Sequence, residues 1–350
     1  MSAKTHVKRI NLALQGGGAH GAFTWGVLDR LLQEDDLEIA AISGTSAGAL
    51  NGAALKAGLV EGRSKQAARD NLDWLWEQMG AISDPRLGAW MSAFLPDPGV
   101  VSKLIEISPL FAMTDAASRV YSPYMFGPFY DNPLRRIAER FHYDAVCADD
   151  GPAFFVCATN VRTGKIRVFS GKHINTNAVL ASACLPTIFQ AVEATDPETG
   201  TTEFYWDGGY TGNPALFPMF EPEFPDDIVV VNINPLERRE VPKTAQDIQN
   251  RINEIGFNTS LLSELRAIQF VRDLIAEGKI KKGTMKDVLI HMIADDELMN
   301  SLSVATKMVP TAHVLNELKQ AGRRAAGRFL NDHMDKLGVT GSANLQAMFG

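Results

Sequence analysis

Residues 37–48 read Leu37-Glu38-Ile39-Ala40-Ala41-Ile42-Ser43-Gly44-Thr45-Ser46-Ala47-Gly48, and an alanine-rich stretch continues to Ala57. The apolar run 37–42 predicts a buried strand, and 47–57 predicts a helix. Between them lies a G-x-S-x-G sequence. A sharp strand-to-helix turn there would hold Ser46 in strained backbone geometry, with Gly44 and Gly48 letting neighbouring chain pass close by. It would expose Ser46 Oγ at the carboxyl end of the sheet, where the helix N-terminus adds positive potential. Read in isolation, the same serine would be an ordinary helix cap.

Working outward, 10–14 is a second apolar segment that predicts a strand. It runs into Gln15-Gly16-Gly17-Gly18-Ala19-His20-Gly21 and then a helical pattern over 20–33, with Phe23, Val27, Leu28 and Leu31 on one face. Strand, helix, strand, helix at this spacing predicts a βαβ unit with a parallel sheet. Consecutive glycines let backbone N–H groups converge on one point, which suits a phosphate or the oxyanion of a tetrahedral intermediate. The same glycines fit a dinucleotide fingerprint. That reading wants an acid at the carboxyl end of the next strand. Glu34, Asp35, Asp36 and Glu38 lie before that strand or at its start, so the dinucleotide reading is set aside.

A third signal is Asp207-Gly208-Gly209, after a short predicted strand at 203–206 and before Tyr210, Asn213 and Pro214. Alone it is a common turn. A serine nucleophile needs a proton acceptor, and none of the seven histidines sits in a recognisable motif, His20 falling on the first turn of its helix. A carboxylate can take that role if burial raises its pKa from about 3.9.

A glycine nest, a G-x-S-x-G turn and a D-G-G turn, in that order and each at a strand end, resemble the patatin-like phospholipase family over residues 10–220. Ala181-Ser182-Ala183-Cys184-Leu185-Pro186 is similar to the family's Ala-Ser-x-x-x-Pro block. The resemblance implies an α/β fold, a three-layer α/β/α sandwich with a mainly parallel central sheet. It also implies a serine acyl-ester hydrolase that acts on lipid esters without cofactor or metal. Carried over, Ser46 is the nucleophile and Asp207 the base, with Gly208 and Gly209 as its supporting turn. Gly16, Gly17, Gly18 and Ala19 form the oxyanion loop, and Gly44 and Gly48 flank the elbow. His20 departs from the pattern, because family members often carry arginine or lysine there. The departure bears on head-group preference more than on hydrolysis.

Further strands are predicted at 153–159, 165–169, 228–233 and 288–293, and helices at 63–79, 176–184, 244–277 and 311–336. These readings divide the chain into a catalytic domain at 8–240 and a mainly helical region at 241–350 packed on it. Within the former, the aromatic and methionine-rich stretch 81–130 reads either as an insertion or lid over the site or as ordinary core with long connections. The last dozen residues read as poorly ordered. The net charge of −7 argues against nucleic acid as the main partner. Three cysteines without a CxxC pair argue against a disulfide framework or structural zinc, and for a reducing, cytoplasmic compartment. No apolar run reaches the length of a membrane span, so lipid would be met from the water side, at most as peripheral membrane contact. Oligomeric state is not legible. Two alternatives stay open at this stage: an esterase for soluble short-chain or polymeric hydroxyacyl esters, and a non-catalytic lipid-binding protein of the same fold.

Overall fold

The computed structural model describes residues 7–81, 96–109, 113, 121–238 and 241–349. Eight strands form one sheet: β1 (Lys8–Leu14), β2 (Leu37–Thr45), β3 (Ala153–Asn160), β4 (Ile166–Ser170), β5 (Val192–Thr195), β6 (Thr202–Asp207), β7 (Asp227–Val231) and β8 (Leu289–Ile293). Their order is β5-β6-β3-β2-β1-β7-β8, with β4 also pairing β3. The five strands from β3 to β8 in that order are parallel, whereas β4, β5 and β6 join as antiparallel partners.

Between the strands run α1 (Gly21–Leu31), α2 (Ala47–Glu61), α3 (Lys65–Gln78), α4 (Pro98–Glu106), α5 (Arg135–Ala138), α6 (Tyr143–Val146) and α7 (Thr176–Ser182). After β7 come α8 (Ala245–Ala276), α9 (Asp296–Ser301), α10 (Val304–Met308), α11 (Ala312–His333) and α12 (Leu345–Phe349). The period-2 alternation of the strands decides the layering. Leu12, Leu14, Val229 and Val231 pack in one cluster with α1, α2, α3 and α11. Ala13, Ile228 and Val230 pack in the other with Leu261, Leu265 and Ile268 of α8 and Leu345 of α12. The result is helices, sheet, helices: the α/β/α sandwich expected.

Two expectations need correcting. An apolar stripe was expected on α1, but every residue of the helix except Arg30 is buried, because α11 covers its outward side. The last residues were expected to lack order. Instead Ala343 N–H donates to Ile290 O at 3.0 Å and Leu345 is buried, so the chain end packs beside β8. The stretch 81–130 falls partly outside the described residues, including Trp90, Met91, Phe94, Leu95 and Phe111. The described part includes α4, which Asp97 caps through Gly99 N–H.

The residues after 240 complete the same sheet with β8 and lock α11 onto α1. A Cβ on Gly26 would stand 1.9 Å from Lys319 O, and one on Gly322 would stand 2.0 Å from Phe23 O. The two helix backbones therefore touch, with no room for side chains at the crossing. Trp25 stacks on Trp76 at 6.1 Å, and Lys319 Nζ lies 3.7 Å from the Trp25 ring. Asp29, nearly buried, is bracketed by Arg69 and Arg323. Exchanging glycine for alanine inside a helix ordinarily gains about 1 kcal/mol. Gly322→Ala should instead lose about 1–3 kcal/mol by overpacking. Gly327→Ala on the same helix, where a Cβ meets nothing within 4 Å, should show the ordinary gain. Urea denaturation of both variants checks the sign reversal.

Candidate active site

Ser46 sits where β2 ends and α2 begins, with φ 54° and ψ −120°. A positive φ in a residue with a Cβ is strained by about 1–3 kcal/mol and persists only when its surroundings enforce it. Here they do. A Cβ on Gly48 would lie 2.0 Å from Leu14 O, and one on Gly44 would lie 2.7 Å from Gly48 O. Ser46 N–H donates to Ser182 Oγ at 2.9 Å. The hydroxyl makes no capping bond to α2, so the helix-cap reading has no support in the geometry. Ser46 is 8% exposed.

The glycine turn after β1 presses onto this serine. A Cβ on Gly16 would lie 2.7 Å from Ser46 Cβ. Gly16 N–H donates to Asn213 Oδ1 at 2.6 Å, so Gly16 shapes the turn and is not a free donor. The donors that the resemblance implies are the N–H groups of Gly17 and Gly18, with Ala19. Gly18 takes φ 58°, and the N–H groups of Gly17, Gly18 and Ala19 have no backbone or side-chain acceptor among the described residues. Ala47 N–H, first in α2, adds to the positive end of that helix.

Asp207 reaches Ser46 through strand topology. β2 pairs β3 in parallel until Thr45 meets Cys157. β6 pairs β3 antiparallel from Ala158 to Asn160, with Asp207 opposite Ala158. β4 already occupies the far edge of β3 at Ala158 and Thr159. β6 must therefore take the edge that β2 has just left, and Asp207 abuts the end of β2. Gly208 lets the turn fold in: a Cβ there would be 2.2 Å from Cys157 O and 3.0 Å from Thr45 Cγ2. Thr45 Oγ1 donates to Gly212 O and Ser43 Oγ to Ala215 O, both at 2.6 Å, tying down the following segment.

The Asp207 carboxylate is 1% exposed. Its Oδ1 accepts from Gly209 N–H at 2.7 Å, while its backbone is held by Cys184 O and Thr159 Oγ1, each at 2.8 Å. Burial pushes its pKa up to about 7; the Gly209 N–H and the Ser46 hydroxyl pull the other way. The Ser46 hydroxyl thus lies near enough to the carboxylate to lower its pKa. No histidine hydrogen-bonds Ser46 among the described residues. His20 is buried in the turn, with Nε2 2.8 Å from Thr306 Oγ1. Burial, then Lys307 and Arg238, hold its pKa well below the usual histidine value.

Several site residues had no assigned role in the sequence reading. Ser182 lay in a recognised block, and Asn213 followed the D-G-G turn. Asn234 follows the buried strand β7, a polar residue at the carboxyl end of a parallel strand. Thr306 and Lys307 carried no sequence signal. Among the described residues, no three His, Cys, Asp or Glu side chains converge in a group that could hold a metal. The three cysteines are free thiols.

The family model of the patatin-like phospholipases matches residues 12–219. The chain belongs to this family. Membership places it among the lipid acyl hydrolases. No curated protein matches the chain. Solved structures similar to this patatin-like chain include VipD from Legionella pneumophila, at 11% identity over 93% of this chain and 67% of that one, with a TM-score of 0.42. The type III effector protein ExoU is 16% identical over 94% of this chain and 53% of its own, with a TM-score of 0.35. ExoU in its heterodimeric complex with SpcU, from the Pseudomonas aeruginosa type III secretion system, gives 16%, 94%, 61% and 0.30. The chain spans about two thirds of the first and about half of the second. These likenesses carry no argument about what this patatin-like chain does.

The raised pKa of Asp207 makes a stability prediction. An acid titrating near 7 in the native state and near 3.8 when unfolded binds its proton more tightly when folded. Its contribution is therefore most favourable below about pH 4 and is lost as pH rises to about 7. The full penalty is on the order of 4 kcal/mol, at 1.36 kcal/mol per unit. Asp207→Asn keeps an acceptor for Gly209 N–H and cannot ionise. Urea denaturation should find this variant more stable than wild type at pH 8, by a margin that shrinks at pH 5.

Proposed function

We propose that the chain is a serine acyl-ester hydrolase of phospholipase A type, in class EC 3.1.1, acting on lipid esters through a Ser46–Asp207 dyad. One observation carries this reading: a strained serine lies beside a buried carboxylate whose pKa is pushed to about 7. A general base works best with a pKa near the operating pH, and burial has moved Asp207 there. An inert serine would have no use for the strain, which weighs against the non-catalytic alternative.

In the first half-reaction Asp207 accepts the Ser46 Oγ proton as the oxygen attacks the acyl carbonyl. The N–H groups of Gly17 and Gly18, with Ala19 and Ala47 beside them, stabilise the negative oxygen, at about 3–4 kcal/mol for each well-placed donor. Asp207 then protonates the departing alcohol. In the second half, Asp207 takes a proton from water, hydroxide adds to the acyl-enzyme, and the carboxylic acid leaves as Ser46 recovers its proton. No cofactor enters.

Apolar surface near the dyad favours lipid over small soluble esters. Tyr210 is 45% exposed and rests edge-on against Phe257 of α8, beside Gly209. No described helix is long and apolar enough to cross a membrane; the proposal includes substrate met in a bilayer by peripheral contact from the cytoplasm.

Wild-type protein should react with a fluorophosphonate probe and hydrolyse long-chain acyl esters, and Ser46→Ala should do neither. Asp207→Asn should lose about 10²–10⁴-fold in turnover while staying folded. The kcat/KM of wild type should rise with pH through about 7, as the carboxylate loses its proton. Equal labelling of wild type and Ser46→Ala would refute the enzyme reading. Activity falling steeply beyond short acyl chains would move the substrate to soluble or polymeric hydroxyacyl esters.

A further inference from the structure

The oxyanion turn is held from behind by a segment far away in the chain. Lys307, on α10, donates from Nζ to Asn234 Oδ1 at 2.8 Å. The Asn234 side-chain amide donates in turn to Gly16 O at 2.8 Å and Gln15 Oε1 at 3.2 Å. Gln15 Oε1 also accepts from Ile233 N–H at 2.9 Å and Asn234 N–H at 3.1 Å. The carbonyl end of β1, the carbonyl end of β7 and α10 thus form one hydrogen-bonded unit beneath Gly16 and Gly17.

α10 touches the turn twice more. The Lys307 carbonyl lies so close to Gly18 that a Cβ there would be 2.4 Å from it. The Thr306 hydroxyl donates to Ser303 O at 2.8 Å, so its oxygen must accept from His20 Nε2, 2.8 Å away. That fixes His20 as the Nε2–H tautomer. Among the described residues, Nδ1 is left as a buried acceptor without a partner.

The lysine itself is unusual. An ammonium has three donors, and a single acceptor, Asn234 Oδ1, meets them among the described residues. The acid whose charge acts on it, Glu254 on α8, is already engaged by Arg238 at 2.6 Å and by Arg251 at 3.3 Å. Arg238, on the chain after β7, and His20, in the turn, face the same group. Burial therefore brings the pKa of Lys307 down to about 8, with Glu254 raising it and Arg238 lowering it. A half-buried cation with one protein acceptor among the described residues lowers stability, unless negative charge develops beside it.

We propose that Lys307 is a positioning residue for ester hydrolysis, holding the oxyanion turn through Asn234 and lending its positive charge to the oxygen that becomes negative. This rests on the hydrolase reading above and adds to it a residue outside the segment that the family model covers. The two charge states then bracket a narrow optimum: Asp207 must be deprotonated, above about 7, and Lys307 protonated, below about 8.

The test uses the full chain with Lys307→Met, Lys307→Arg and Asn234→Asp, a p-nitrophenyl acyl ester, and amide hydrogen exchange over residues 15–20. Lys307→Met should lower kcat about 10–100-fold with KM changed less than about twofold, and should lose the alkaline fall near pH 8. Lys307→Arg should recover most of kcat and carry that fall beyond pH 10. Asn234→Asp keeps the acceptor for Lys307, removes the donor to Gly16 O, and should lower kcat as well. Exchange in the turn should quicken in Lys307→Met and not in Lys307→Arg. Exchange does not depend on turnover, so it judges the brace even if wild type proves inactive on esters. Wild-type kcat and an alkaline limb near 8 in Lys307→Met, or unchanged exchange, would overturn the proposal.

Discussion

Along one edge of β3 two strands share a single row of hydrogen bonds. β2 runs beside it in parallel until Thr45 pairs with Cys157, and from Ala158 onward β6 occupies the same edge in the opposite sense, ending at Asp207. This end-to-end meeting places a hydroxyl and a carboxylate, far apart in sequence, at neighbouring positions. It works only where side chains are missing, because Gly208 lies against Cys157 O and Thr45, and Gly16 against Ser46. The motif glycines are therefore clearances for backbone crossing backbone. Any Cβ at these points would drive Ser46 and Asp207 apart.

Three unfavourable arrangements converge around that point: a serine at positive φ, a carboxylate taken out of water, and a half-buried ammonium with one acceptor among the described residues. Each lowers stability, and each is tolerated because the surrounding layers hold it in place. The core formed by α1, α2, α3 and α11 on one face of the sheet offsets them. The touching backbones of α1 and α11 matter here, since α1 continues directly from the oxyanion turn. The residues after 240 thus bear on the site in two ways. They clamp α1 from outside through α11, and they brace the turn from below through α10.

Much of this was legible in the chain itself. Buried parallel strands read as continuous apolar runs, so 10–14, 37–42 and 228–233 located β1, β2 and β7, with ends off by up to three residues. The glycine turns announced strand ends, which fixed where chemistry could occur. Less legible was whatever depended on distant packing. Phe23, Val27, Leu28 and Leu31 suggested one apolar face on α1, and nothing local revealed that a glycine-bearing helix three hundred residues later would cover the other. The chain end looked unstructured because its pairing with β8 uses backbone groups that leave no pattern. Lys307 was invisible for a related reason. A lone lysine on a five-residue helix looks solvated until its neighbours are known. Gly16 shows the limit within a motif: the pattern grouped it with its neighbours, and only Asn213 Oδ1 distinguishes it from them.

The account stands on the state of one carboxyl group. Protein carrying ¹³C at aspartate Cγ, compared with Asp207→Asn to assign the resonance, would give the titration of Asp207 directly by NMR. A midpoint near 7, shifting when Ser46 is replaced by alanine, is what a buried base facing the serine hydroxyl requires. A midpoint near 4, unmoved by that replacement, would mean a solvated aspartate that does not face Ser46, and would contradict the account.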